Sequence, residues 1–498
     1  MDAVLAGLAQ AFTPLTLGFV LFGVVLGIAV GAIPGLSSPM AIAIAVPLTF
    51  YMTPLAAIAF LLGVNKGGEF GGSISAILLN TPGTPEAAAT ALDGHPLAQQ
   101  GKAGKALKTA LYSSVAGDTF SDIVLILVAA PLAVIALKMG PPELLGVLIF
   151  AFTFVTALLG NSMIKGLIAA ALGVLLSLVG IDPEAAIPRL TFDVLELEDG
   201  LSFVGAAIGL LAFSEVLMQV ERSFLGDSGA GEASAGFSKA REDNAFTRSD
   251  FRQVRGTVAR SAVIGTVIGA IPGLGTSLAG FLGYGAAMKA SKHPEEFGKG
   301  RLEGVAATEA ANSAVVGSNL IPLLTLGIPG NVAAALLAGA FLIHGITPGP
   351  LIFQDHAVLV YGMFGCLIVA NLMNLLVGSL GLRLFSLAVR TPRSIVMPSV
   401  ALLCITGSFV AGGGLFAVAT MMVFGILGYV MRKLDFSIIA FILGFILGPM
   451  VERSLRHTVI LFEDASDILG HPFLIAMLVV SAGAVFWLGR RPRGKLAR

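Results

Sequence analysis

Eight residues, Gly31-Ala32-Ile33-Pro34-Gly35-Leu36-Ser37-Ser38, return nearly unchanged as Gly269-Ala270-Ile271-Pro272-Gly273-Leu274-Gly275-Thr276. Both copies lie inside long apolar runs, where proline removes a backbone donor and glycine loosens the chain, so a helix is expected to break there. Each copy has a downstream companion, Asn80-Thr81-Pro82-Gly83-Thr84-Pro85 in the first half and Gly327-Ile328-Pro329-Gly330-Asn331 in the second. Ser38, Thr84, Thr276 or Ser277, and Asn331 suit the N-cap of a restarting helix, and Pro39 and Pro85 suit its first position. Four such starts would present bare N–H groups and positive dipole ends, which hold an anion without burying many cations. The candidate substrate contacts are therefore Gly35, Ser37, Ser38, Thr81, Pro82, Gly83, Thr84, Gly273, Gly275, Thr276, Ser277, Pro329, Gly330 and Asn331. The plainer reading is that each break only kinks a helix, but four breaks in paired positions favour a binding site.

Asn65, Lys66 and Glu69 fall near membrane depth, where polar and ionisable groups are costly and commonly functional, although a structural Lys66–Glu69 pair near an interface explains them equally well. Glu309 and Asn312 are three apart on one helical face, and Asn65 and Asn312 are the candidate ligands of a coupling cation, with helix capping as the alternative. Asp118 and Asp122, four apart, suit a proton relay or, favoured by the nearby Lys102–Lys108 segment, a solvated helix end, and Glu215 invites the same plain reading. The histidines, His95, His293, His344, His356, His457 and His471, fall in or near expected loops. His-Glu-x-x-His, Gly-x-Ser-x-Gly, Cys-x-x-Cys and the phosphate-binding Gly-x-x-x-x-Gly-Lys-Ser/Thr are all missing, so an enzyme is not expected and neither is a resident cofactor.

The elements that must position these groups are membrane helices. Of 498 residues 56% are hydrophobic and 12% charged, with a mean hydropathy of +0.91, which marks an all-α polytopic membrane protein. Net charge is zero, which gives nucleic acid no long-range attraction. Cys366 and Cys404 lie in apolar runs and read as packed thiols, and Asp2 without a basic n-region argues against a cleaved signal peptide. After Asp2 no charged residue occurs before Lys66. The glycine-rich Lys66–Ser73 stretch and the following break predict a re-entrant or discontinuous element over about 65–92, followed by a basic loop with Lys102, Lys105 and Lys108. Apolar runs then predict spans to about 220, a polar linker over 221–256, and further spans beyond it, ending in a basic tail.

Residues 1–220 and 257–498 thus read as two transmembrane repeats. The displacement between equivalent landmarks drifts slowly: Gly31 to Gly269 is 238, Pro82 to Pro329 is 247, Pro141 to Pro392 is 251 and Asp182 to Asp435 is 253. Basic loops on one repeat match neutral turns on the other, so the positive-inside rule predicts inverted topology, with the linker and C-terminus cytoplasmic and the acidic 182–199 loop outside. Inverted repeats with broken helices are the architecture of secondary transporters.

The octets, Asn65-Lys66-Gly67-Gly68-Glu69-Phe70-Gly71-Gly72-Ser73 and Asn80-Thr81-Pro82-Gly83-Thr84-Pro85 resemble the large membrane subunit, TctA, of the tripartite tricarboxylate transporter family across nearly the whole chain. The resemblance implies a permease in the bacterial inner membrane, working with a small TctB-like membrane subunit and a periplasmic TctC-like solute-binding protein. It also implies uptake of citrate-like di- or tricarboxylates coupled to Na+ or H+. Paired re-entrant elements incline the motion toward an elevator. An anion channel and a membrane receptor or scaffold using the linker are the alternatives of other classes.

Overall fold

A computed structural model describes residues 2–82, 84, 86–159, 162–225, 240–389, 391–412 and 414–489. Gly83, Pro85, residues 226–239 of the linker and the basic tail lie outside the described residues. The first half runs through α1 (Asp2–Ala11), α2 (Pro14–Gly31), α3 (Ser38–Ala45), α4 (Pro54–Leu79), α5 (Ala87–Leu97), α6 (Ala103–Ala136), α7 (Pro141–Leu159), α8 (Met163–Ser177), α9 (Phe203–Ile208) and α10 (Ser214–Phe224). The second runs through α11 (Arg241–Asn244), α12 (Arg248–Gly269), α13 (Gly275–Ala290), α14 (Leu302–Ser318), α15 (Leu320–Leu326), α16 (Val332–Ile343), α17 (Ile352–Asp355), α18 (Ala357–Ala388), α19 (Arg393–Gly412), α20 (Leu415–Lys433), α21 (Ile438–Leu461) and α22 (Pro472–Gly489). Two paired residues on each side of a short hairpin, Gly180–Ile181 and Pro188–Arg189, are the strands among the described residues. Seven of the described helical segments are long and apolar enough to cross a membrane. The protein is an all-α polytopic membrane protein.

Local chemistry sets the helix ends. Thr13 caps α2, its hydroxyl accepting from Thr16 N–H, with Pro14 in the first turn. Thr247 and Asp250 form a capping box at the start of α12. Both octets end their helices with a glycine at positive φ, Gly35 at +92° and Gly273 at +87°, a conformation that costs an L side chain about 1 kcal/mol or more.

Packing repeats between the halves. Within each, the helix before the octet packs on the helix that leads toward the second break, α2 on α4 and α12 on α14, which α15 continues to the break. Across the halves, α6 packs on α14 while α18 packs on α4, and α8 packs on α21 while α20 packs on the α9–α10 segment. Small residues let these helices touch: a Cβ on Gly27 would strike the Val64 carbonyl, and one on Gly67 would strike the Val24 carbonyl, so the α2 and α4 backbones are in direct contact.

Two expectations need correction. The Lys66–Ser73 stretch is not a break but the middle of the continuous helix α4, because its glycines pack against α2, Ser38 and Thr84 and that packing outweighs their poor helix propensity. Every residue of α4 from Leu55 to Leu78 is buried, which suits its polar groups. The expected basic loop is helical too: Lys102 sits in a single π turn joining α5 to α6, with Gly101 at φ +82°, and Lys105 and Lys108 lie on α6.

Candidate functional site

All four breaks open on one cavity of about 570 Å³. From the first octet come Gly35, Ser37, Pro39 and Met40; from its companion, Pro82, Thr84 and Glu86. The second half contributes Gly273, Gly275, Thr276 and Ser277, then Asn331, Val332 and Ala333. The far wall is Leu211 and Glu215 of α10's approach, and Arg432, Phe436, Ser437 and Ile438 at the α20–α21 turn. The volume lies within the range of small-ligand sites.

Each contributing helix begins at this cavity, so the N-termini of α3, α5, α13 and α16 converge on it. Asn331 accepts from Ala334 N–H at 2.9 Å and Thr84 from Ala87 N–H at 3.3 Å, as side-chain caps do. Ser37 occupies the N-cap of α3 with no side-chain capping bond. The two breaks of the second half are tied together where Gly273 N–H donates to Gly330 O at 2.7 Å.

Not every sequence candidate reaches the cavity. Ser38 is fully buried, and its hydroxyl donates to Asn65 Oδ1 at 2.8 Å, so it fixes α3 to α4. Thr81 has a buried hydroxyl without a partner, and Pro329 and Gly330 stand behind the wall, with Gly330 holding Gly273. Gly83 lies outside the described residues.

The charged groups are arranged differently from their sequence reading. Lys66 does not pair with Glu69. Its Nζ lies 3.2 Å from Asp118 Oδ1 and 2.8 Å from Asp122 Oδ2, all three fully buried. Asp118 and Asp122 are therefore no solvated helix end: they lie in the middle of α6, where α4, α14 and α18 cover it. Asn371 Nδ2 also donates to Asp122 Oδ2 at 2.7 Å. Asn312 Nδ2 donates to Glu69 Oε2 at 3.1 Å, and Glu69 lines the cavity. Glu309 Oε1 accepts from Ser73 at 2.6 Å and from Thr90. Glu215 is not solvated either, being buried against Arg432 at 2.8 Å and Gln219 at 2.8 Å. His95 is buried with Nδ1 3.1 Å from the Ile77 carbonyl, because α5 folds back on α4. Among the described residues the histidine, cysteine and acidic side chains close enough in threes to share a metal ion are the exposed His293, Glu295 and Glu296.

Sequence reasoning missed Glu86 and Arg432. Glu86 follows Thr84-Pro85 directly, and an acid in the first turn after a capping residue is the signal that marks it. Arg432 is disguised as an ordinary basic residue closing a span.

Away from the cavity, the 182–199 loop is pinned by charge. Asp182 Oδ2 lies 2.6 Å from Arg456 and 3.4 Å from Arg189, and Glu452 bridges the same two arginines. The Arg456 hydrogen bond, with N–H groups of Glu184 and Ala185, holds the Asp182 carboxyl well below the usual carboxylate range.

Residues 17–443 match the family model described as "Tripartite tricarboxylate transporter TctA family". A protein of Agrobacterium vitis, described as "Uncharacterized 52.8 kDa protein in TAR-I ttuC' 3'region", is 34% identical over 481 residues, 96% of this chain and 94% of the relative. A second from the same organism, "Uncharacterized protein in TAR-II ttuC' 3'region", is 35% identical over 215 residues, 43% of this chain and 89% of the relative. No solved structure matches the chain.

Proposed function

The chain belongs to the tripartite tricarboxylate transporter TctA family, and we propose that it is the large permease subunit of an ion-gradient-driven importer of citrate-like di- and tricarboxylates. In this reading it spans the bacterial inner membrane beside a small TctB-like subunit and receives substrate from a periplasmic TctC-like binding protein. The linker and C-terminus face the cytoplasm, and the two repeats have inverted topology.

The observation that carries the reading is the convergence of four helix N-termini, two from each half, on a single cavity. Helix ends contribute about 0.3–1 kcal/mol each toward an anion, so four supply about 1–4 kcal/mol. Micromolar affinity needs about 8 kcal/mol, so direct hydrogen bonds must supply the larger part. The groups placed to give them are Ser37, Thr276, Ser277 and the first-turn N–H groups, charge-assisted donors to a carboxylate contributing about 1.5–3 kcal/mol each. Because each half contributes two ends, a relative movement of the halves or of the broken elements, such as an elevator slide, would carry the site between the two faces of the membrane.

Uptake of labelled citrate into proteoliposomes holding this chain, the small subunit and the binding protein tests the reading. Accumulation above equilibrium, driven by an inward Na+ or H+ gradient, is expected. Flux that merely equilibrates would indicate a channel, and no flux with any of a panel of di- and tricarboxylates would overturn the substrate class. Deleting the middle of the 221–256 linker should leave uptake largely intact, whereas a scaffold would fail.

A further inference from the structure

Among the described residues that line the cavity, Arg432 is the one cation. The nearby lysines are committed elsewhere, Lys66 to Asp118 and Asp122, and Lys433 to Glu221. Glu69, Glu86 and Glu215 line the same space. An anion entering the cavity finds no attraction in the glutamates, so the helix starts and Arg432 decide where its negative groups settle.

Arg432 is not used up by its ion pair. Its Nη1 donates to Glu215 Oε2 at 2.8 Å, which engages one corner of the guanidinium. Nη2 has a long bond of 3.4 Å to the Leu211 carbonyl, and Nε is buried with no hydrogen-bond partner. The N–H groups of a guanidinium are fixed in one plane, and the edge formed by Nε and Nη2 grips a carboxylate through two parallel bonds. A buried N–H without an acceptor is unfavourable, and a ligand oxygen at that edge removes the deficit. Glu215 need not let go when this happens. Its other oxygen, Oε1, accepts from Gln219 at 2.8 Å, so the acid stays in place and orients the guanidinium.

The same pair touches the first octet. A Cβ on Gly35 would stand 3.3 Å from Gln219 Nε2 and 3.8 Å from Glu215 Oε1, so the turn that leads into α3 rests against the residues that hold Arg432. The cavity therefore has two kinds of anchor, the helix starts and, on the far wall, Arg432. A molecule with two carboxylates has a partner for each, whereas a monocarboxylate leaves one anchor empty.

We propose that Arg432 is the specificity-determining residue of the cavity: it receives the second carboxylate of a substrate whose first carboxylate lies at the helix starts, and so selects di- and tricarboxylates against monocarboxylates. This rests on the reading of the chain as a carboxylate transporter. Glu215 and Gln219 act as positioning residues, keeping the Nε–Nη2 edge free for the substrate.

The test is calorimetric titration of the full chain with its small subunit in detergent, leaving out the binding protein so that its own selectivity does not enter. The probes are citrate, succinate and butyrate, the last two matched in carbon number. Wild-type protein should bind citrate and succinate about tenfold or more tightly than butyrate, as expected of one added charge-assisted carboxylate contact. Arg432→Gln should close that gap by weakening citrate and succinate and leaving butyrate unchanged, and Arg432→Lys, which keeps the charge but not the paired edge, should lose part of it. Arg432→Gln combined with Glu215→Gln removes both charges together, which keeps the variant readable if the single one fails to fold. A merely structural pair would be rescued in this double variant, whereas a substrate contact stays lost. Citrate bound at wild-type strength by the single or the double variant would overturn the proposal and leave the transport reading standing. So would butyrate weakening in step with citrate, or wild-type protein binding butyrate as tightly as succinate. Wild-type protein that binds none of a wider panel of di- and tricarboxylates removes the transport reading and the proposal with it.

Discussion

Asn80 and Gly327, 247 residues apart, hold the same left-handed backbone position, φ +53° and +74°, each ending the helix that precedes a Pro-Gly break. The left-handed turn releases the chain from α4 and α15 and aims it at the cavity, so this position sets the direction of two of the four converging helix starts. Asparagine tolerates the conformation and glycine adopts it freely, whereas a β-branched residue costs about 1–3 kcal/mol there.

Gly327→Val is therefore expected to lower stability by about 2 kcal/mol or more, because the added side chain also meets the Pro348 carbonyl. Asn80→Gly should be close to neutral. Thermal unfolding of the purified variants in detergent checks both, and equal midpoints for Gly327→Val and wild type would contradict the role of this turn.

The buried Lys66 should be far more critical to folding than to binding. Lys66→Met leaves Asp118 and Asp122 as two uncompensated carboxylates in the interior, at an expected cost of about 3–5 kcal/mol. Lys66→Met combined with Asp118→Asn and Asp122→Asn removes the charges together and should recover most of that loss. The yield of monodisperse protein after membrane extraction reads the difference, and a triple variant no better than the single one would refute the charge argument.

Legibility in the sequence followed the range of the forces involved. The Pro-Gly octets were readable because a missing N–H and a positive φ are local requirements, and composition alone marked the all-α membrane class. The continuity of α4 through Lys66–Ser73 was not readable, since its glycines are tolerated only by close packing on α2, a contact between residues about 40 apart such as Val24 and Gly67. Asp118 and Asp122 were misread for the same reason: their partner Lys66 lies on another helix, and nothing near them in sequence announces it. Glu215 and Arg432, each plausible as a solvated span end, meet only when α10 packs on α20.

Ser37 and Ser38 are adjacent yet should respond oppositely. Ser37 lines the cavity with an uncommitted hydroxyl, so Ser37→Trp, and likewise Ser277→Trp, should reduce citrate uptake at least tenfold with normal membrane insertion. Ser38→Ala removes the hydrogen bond to Asn65 and should cost about 1–2 kcal/mol of stability without altering the apparent affinity for citrate. Uptake kinetics in proteoliposomes and thermal unfolding separate the two, and unchanged uptake in both tryptophan variants would exclude this cavity as the substrate path.

The loop staple at Asp182 should make the 182–199 loop resistant to acid. Because Arg456 and two backbone N–H groups hold the folded carboxyl below its ordinary value of about 3.9, the pairing contributes fully above that value and is lost only as pH falls through the lowered folded value. In Arg456→Gln the folded carboxyl moves back toward the ordinary range, and part of the pairing disappears even at neutral pH, leaving Arg189 at 3.4 Å as the remaining partner. Limited digestion of the 182–199 loop with an acid-active protease, followed from pH 6 to pH 3, should therefore show wild-type protection persisting to the lower end. Arg456→Gln should be cut faster throughout, with a steep rise near pH 4. Identical cleavage profiles for the two proteins would show that the staple does not hold the loop.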